Sequence, residues 1–227
     1  MMLNSLFEEF DNVIVFDIET TGICSKSDEI IEIAMVRAAC NDGVAKIEDE
    51  FGLLVKLSPG RSLPPRITEI TGITEDDLLE NGVDKEIVAT RVAEEISREN
   101  TLLVAYNAQF DLNFLYHFLA GMGKPEVLKG VKMLDALTVY KDRKPYPHKL
   151  ADAAVAYSID MQNAHRALDD TKATYDLLCE MDKEINDLTK YINLFGYNPK
   201  YGVSGTKIGS VKYLPQPYNN TKKLYED

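Results

Sequence analysis

The run Val13-Ile14-Val15-Phe16-Asp17-Ile18-Glu19-Thr20-Thr21-Gly22 constrains the fold more than any other stretch of the chain, because unbroken apolar sequence gives way to two alternate acids. Such a run reads as a buried strand bounded by turn residues. On a strand, residues i and i+2 share a face, so Asp17 and Glu19 point the same way. Two carboxylates leaving a greasy segment together are costly unless positive charge sits between them, and a divalent metal is the natural candidate.

The segments that follow say what surrounds that strand. Residues 30–39 and 47–57 read as a second and third strand, and Asn41-Asp42-Gly43 between them is a tight-turn signal that makes them antiparallel neighbours. Residues 67–71 read as a short helical turn stopped by Gly72, with Thr74 capping the next turn. The spacing then predicts a helix over 85–98, a strand over 101–106 and a helix over 110–119. In the last of these Phe110, Phe114 and Phe118 share one face, which core packing explains better than base stacking. Residues 131–140 contain a strand passing into a helix, and helices follow at 150–157 and 167–185. Strands first, then helices alternating with short strands, predict an α/β domain over residues 1–190, a mixed β-sheet of about five strands with the first three antiparallel, flanked by helices. Residues 191–227 differ: they hold six of the twelve tyrosines and five lysines against Glu226 and Asp227. They form an irregular C-terminal extension, either an arm packed on the body or a partly mobile one.

Composition removes several function classes. A net charge of −12 argues against a protein that coats nucleic acid with a general basic surface, though not against one that grips a few phosphates through metal ions. There is no long apolar run, and the acidic start MMLNSLFEEFDN is unlike a signal peptide, so no membrane partner and a cytoplasmic location are expected. Cys24, Cys40 and Cys179 have no metal-ligand spacing, which disfavours zinc and disulfides alike.

Two further acidic signals join the first pair. Asp111 lies in AYNAQFD after the strand at 101–106, with Asn107 placed to cap the following helix, and Asp170 lies five residues after His165 in HRALDD. Singly, each has an ordinary reading as a turn, a cap or an acidic first helical turn. Jointly, FDIETTG at 16–22, ITGIT at 70–74, YNAQFD at 106–111 and HRALDD at 165–170 resemble the DEDDh branch of the DnaQ-like 3′-to-5′ exonucleases, over roughly residues 10–188, and the proofreading exonuclease of bacterial DNA polymerase III in particular. The resemblance implies an RNase H-like fold. It implies that Asp17, Glu19, Asp111 and Asp170 hold two divalent cations, Mg²⁺ or Mn²⁺, and that His165 is the general base. It also implies that Thr20, Thr21 and Gly22 seat the 3′ end, with Asn107 beside them. Asp170 is preferred to Asp169 because the motif uses the fifth residue after the histidine. Tyr106 replaces a histidine found in several relatives, at a position that carries no metal ligand.

The physical logic stands without the family. Each close pair among four gathered carboxylates costs about 4 kcal/mol at an effective dielectric near 20. Divalent cations reverse that sign, and all-oxygen ligands favour Mg²⁺ or Mn²⁺ over zinc. The expected partner is a nucleic acid 3′ end, with DNA first and RNA the alternative, and a polymerase or other replication or repair protein as a further partner. A catalytically silent interaction module on the same fold is the rival class. The lysines and tyrosines of the extension are a second, weaker candidate for guiding a strand.

Overall fold

In the computed structural model, which describes residues 3–41, 44–161, 166–218 and 222–226, the apolar run becomes the middle of a sheet. A short helix α1 (Asn4–Phe7) leads into β1 (Asn12–Thr20), followed by β2 (Ile30–Asn41) and β3 (Val44–Leu54). Both successive pairs are antiparallel, with Asn41 opposite Val44 in the β2–β3 register. Asp42 and Gly43, in the expected tight turn, lie outside the described residues. Three helices follow, α2 (Pro65–Thr71), α3 (Glu75–Asn81) and α4 (Lys85–Ile96), before β4 (Thr101–Ala105). The two short ones end and begin as the sequence predicts. Gly72 takes the left-handed conformation at φ 74° that closes α2, and Thr74 forms a reciprocal capping box with Asp77 at the start of α3.

The second half alternates helix and strand: α5 (Ala108–Gly121), β5 (Lys132–Asp135), α6 (Ala136–Lys141), α7 (Leu150–Ala156) and α8 (Ala167–Glu184). The sheet order among the described residues is β3-β2-β1-β4-β5, with β4 parallel to both β1 and β5. Alternation along β1 feeds two cores. Val13 and Val15 pack with α6, α8 and α1, whereas Ile14, Phe16 and Ile18 pack with α4 and α5. Burying each such side chain contributes roughly 1.5–3 kcal/mol, which is why this strand occupies the centre.

The extension is packed on the body. It carries β6 (Leu194–Tyr197) and β7 (Lys212–Pro215), a parallel pair, and Tyr191, Phe195 and Leu224 are buried in the same two cores as β1. Among the described residues no helix is long and apolar enough to cross a membrane.

Candidate active site

The site forms because two neighbouring strands differ in length. β4 pairs with β1 only from Asn12 to Val15, while β2 pairs with it as far as Thr20. Asp17 and Glu19 therefore sit within the strand, which runs beyond the apolar stretch to Thr20. The extra residues remain strand because β2 still supplies a hydrogen-bonding edge there. On the other side no strand pairs with β1 beyond Val15 among the described residues, and the Asp111 carboxyl approaches the Ile18 backbone there.

Asp111 arrives from the opposite face of the sheet to Asp170. Its helix, α5, packs on the Ile14 side through Ala108, Leu112 and Leu115, and Asp111 itself is 3% exposed in the first turn. That turn starts at Ala108, two residues earlier than the spacing suggested. The expected cap, Asn107, makes no side-chain capping bond: it is exposed, in the left-handed conformation at φ 68°. The Asp135 carboxylate takes over, with Oδ1 accepting from Asn107 N at 3.0 Å and Ala108 N at 3.1 Å. Asp135 also caps α6 through Leu137 N at 3.2 Å and binds the Thr138 hydroxyl at 2.6 Å. Local sequence favours Asn at an N-cap, but a buried aspartate between two helix starts satisfies donors of both.

Asp170 comes from the first turn of α8, on the same face as Asp17 and Glu19. Gly52 of β3 admits that turn, since a Cβ there would lie 3.2 Å from the Leu168 Cβ. A second buried acid fixes it: Glu32 Oε2 accepts from Ala167 N at 3.0 Å, and Glu32 Oε1 pairs with Arg166 Nη2 at 2.8 Å. Glu32 stands directly across from Glu19 in the β1–β2 register, a like-charge juxtaposition that Arg166 offsets. Neither Glu32 nor Asp135 figured among the sequence candidates. The signals were present, as a lone acid inside the apolar strand Ile30-Ile31-Glu32-Ile33 and an Asp immediately before a helix.

Asp17, Glu19 and Asp170 each offer a carboxylate oxygen, all within 4.8 Å of one another. Asp111 is outside that triad of oxygens yet is the leading charge acting on Asp17, so it adjoins the cluster through Asp17. Burial, then Asp111, Asp170, Glu19 and Glu32, hold the Asp17 carboxyl well above the ordinary carboxylate range. Burial and then Asp170 and Glu32 push Glu19 up to about 8, with Arg166 opposing. Burial raises Asp111 as well, with Asp135 and Glu19 adding to it. A set of oxygen donors that repel one another into protonation fits a divalent cation.

Beyond Glu19 the register shifts and the chain leaves β1 in a loop closed on itself. The Thr20 hydroxyl donates to Gly22 O at 2.6 Å, the Thr21 hydroxyl accepts from Glu29 N at 2.9 Å, and Cys24 N donates to the Asp28 carboxylate at 2.8 Å. Gly22 leaves room for the Asp28 carboxylate, which a Cβ there would push aside. The next residue, Ile23, is 90% exposed. His165, the expected general base, lies outside the described residues, immediately before Arg166.

Known proteins resemble this chain in sequence and in fold. An exonuclease family model, RNase T, matches residues 14–178. The DNA polymerase III PolC-type of Clostridium perfringens is 36% identical over all of this chain, which covers 15% of that protein, and that of Bacillus subtilis is 35% identical over 79% of the chain, covering 12%. The chain thus spans under a sixth of the length of these curated relatives. Among solved structures, a zinc-bound E. coli exonuclease I in complex with single-stranded DNA superposes with a TM-score of 0.72 at 21% identity, covering 80% of this chain and 42% of that one. The same enzyme with a dT13 oligonucleotide gives 0.68 at 20% identity over 76% and 41%. At that identity these structures speak to the fold, while the family match spans the greater part of the sequence: the chain belongs to the RNase T exonuclease family.

Proposed function

We propose that this chain is a divalent-metal-dependent 3′-to-5′ exonuclease that shortens DNA from single-stranded or frayed 3′ ends and releases nucleoside 5′-monophosphates. The observation that carries the reading is the meeting of Asp17, Glu19 and Asp170 oxygens within 4.8 Å, on a site that repels its own charge. These three and Asp111 would hold two ions, Mg²⁺ or Mn²⁺. When bound, such ions supply an acidified water and neutralise charge at the scissile phosphate.

The chain's own groups do the rest. His165 takes the proton from the attacking water, a role suited to an imidazole that is neutral near pH 7. The Arg166–Glu32 pair and the Ala167–Glu32 bond anchor the chain directly after it. Thr20, Thr21 and Gly22, tied down by their own hydrogen bonds, present a fixed backbone to the terminal nucleotide. Asn107 offers its amide from the mouth of α5. Ile23 has no role in the core and supplies an apolar edge against a base. DNA is preferred to RNA because the relatives are DNA polymerases III, which also makes a polymerase the favoured partner and the cytoplasm the expected place of work. Residues 1–190 are the catalytic unit and 191–227 an extension fastened to it.

The test is degradation of single-stranded DNA, duplex with a mismatched 3′ end and short RNA, side by side, with Mg²⁺ or Mn²⁺. Wild type is expected to release mononucleotides from DNA ahead of RNA, and Asp17→Ala to release none. Absence of release by wild type with either ion sinks the exonuclease reading, and faster release from RNA reassigns the substrate.

A further inference from the structure

A cavity of about 670 Å³ opens on the other side of α5 from the acid cluster, between that helix, the 3₁₀ turn Pro125–Leu128 and residues 206–210 of the extension. Asn113 and Tyr116, which line it, follow Asp111 by two and five residues, and at about 100° per residue both lie on the side of the helix away from it. The outer wall is stitched in place. Gln109 Nε2 donates to Ser204 O and Thr206 O, both at 2.8 Å, and Asn113 Oδ1 accepts from Thr206 N at 3.2 Å. The Tyr213 hydroxyl donates to Gln109 Oε1 at 2.6 Å and accepts from Ile208 N at 2.9 Å. The extension therefore supplies one wall of a concavity whose other walls come from the body.

The lining has two characters. Lys26, Lys129 and Lys207 stand on it with His117, against one carboxylate, Glu126, in a protein whose net charge is −12. Leu112, Met133 and Ile208 make an apolar floor. Its volume is in the range of roughly 300–1,000 Å³ typical of small-molecule pockets. A basic rim over an apolar floor matches a ligand with a flat, weakly polar body and an anionic group, and a charge concentration of this sign draws anions that the rest of the surface repels.

We propose that this cavity is a second nucleotide site, separate from the acid cluster and independent of metal, in which a base rests on Leu112, Met133 and Ile208 while a phosphate meets Lys26, Lys129 and Lys207. The choice of a nucleotide among anionic aromatics rests on the exonuclease reading, which puts two sources of that chemistry beside the chain: the released mononucleotide and a nucleotide of the strand upstream of the cut.

The experiment uses the full chain carrying Asp17→Ala, in EDTA, so that neither metal nor turnover contributes. It is titrated with fluorescent N-methylanthraniloyl-dAMP, displaced by unlabelled dAMP, and with a fluorescent oligothymidylate blocked by a 3′-phosphate. Saturable binding of the mononucleotide identifies the released product as occupant, and binding of the oligonucleotide alone identifies the strand. In either case Lys129→Glu with Lys207→Glu, both exposed positions, should weaken binding by about tenfold or more without changing the melting temperature. The proposal is overturned if neither probe binds, if charge reversal leaves binding unchanged, or if inorganic phosphate competes as well as dAMP. Such a failure leaves metal-dependent cleavage untouched, and a failure of cleavage leaves the titration readable.

Discussion

Asp135, which is buried, and Asp17, which is half-buried, are acids on the strands either side of β4, and they have opposite surroundings. Asp135 accepts hydrogen bonds from two backbone amides at the start of α5, from a third in α6 and from the Thr138 hydroxyl. Asp17 faces Asp111, Asp170, Glu19 and Glu32. The first arrangement uses the charge of a carboxylate to join helices. The second gathers like charges together, and that cost favours a cation. Burial alone does not distinguish a structural acid from a candidate ligand; what each oxygen faces does.

The largest effects should come from removing the carboxylate of each acid. Asp17→Asn is expected to lower the rate of nucleotide release on the order of a thousandfold, while leaving metal-free stability unchanged or raised at pH 8. Asp135→Ala should instead cost about 2–4 kcal/mol in urea unfolding, because it orphans donors at two helix starts. If Asp17→Asn destabilised the metal-free protein as much as Asp135→Ala does, the contrast between the two acids would be lost.

A pH series sharpens the same contrast. Glu19, at about 8 in the fold against an ordinary 4.5, holds a proton in the folded state that the unfolded chain releases across that window. The contribution of such groups therefore declines as pH rises from about 4.5 to 8, by up to about 1.4 kcal/mol per pH unit for each proton. Saturating Mg²⁺ should oppose the decline, because it favours the ionised forms. Glu29 behaves in the reverse sense: against burial, which pushes it up, hydrogen bonds from Lys85 and Ser58 hold it below its ordinary value, so its contribution is lost on acidification. Metal-free melting temperatures that rise from pH 5 to pH 8 would contradict the raised values at the site.

The smallest effect tests an acid of mixed character. Glu32 faces Glu19 but is also satisfied by Arg166 and Ala167. Glu32→Gln should lower stability by about 1 kcal/mol and slow turnover roughly tenfold by loosening the chain beside His165. Unchanged turnover would remove Glu32 from the site's support.

The antiparallel pairing of the first three strands could be anticipated because it depends on local signals. The apolar run of β1 and the Asn41-Asp42-Gly43 stop between β2 and β3 each act within a few residues. The placement of α2 and α3 likewise followed from Gly72 and the Thr74–Asp77 box, whose bonds are local. Asn107 shows the limit: by composition it is a good cap, yet its helix is capped by an aspartate that is close only after β5 has docked beside β4. The extension was legible only as a change in composition. Its strands and buried Tyr191 depend on surfaces that the body provides.

By itself, then, the sequence determined which residue types were available and in what order: an apolar strand carrying Asp17 and Glu19, and later helices opening on Asp111 and Asp170. Those assignments rest on short-range periodicity and motif spacing. Tertiary structure decided that the acids meet, because β4 pairs with β1 only as far as Val15, so that α5 brings Asp111 to the strand from one face of the sheet while α8 brings Asp170 to the other. It also decided that Asp135 faces hydrogen-bond donors and Asp17 faces other acids. Proton affinity is set by distance and burial across chain segments far apart in sequence, and spacing along the chain carries neither.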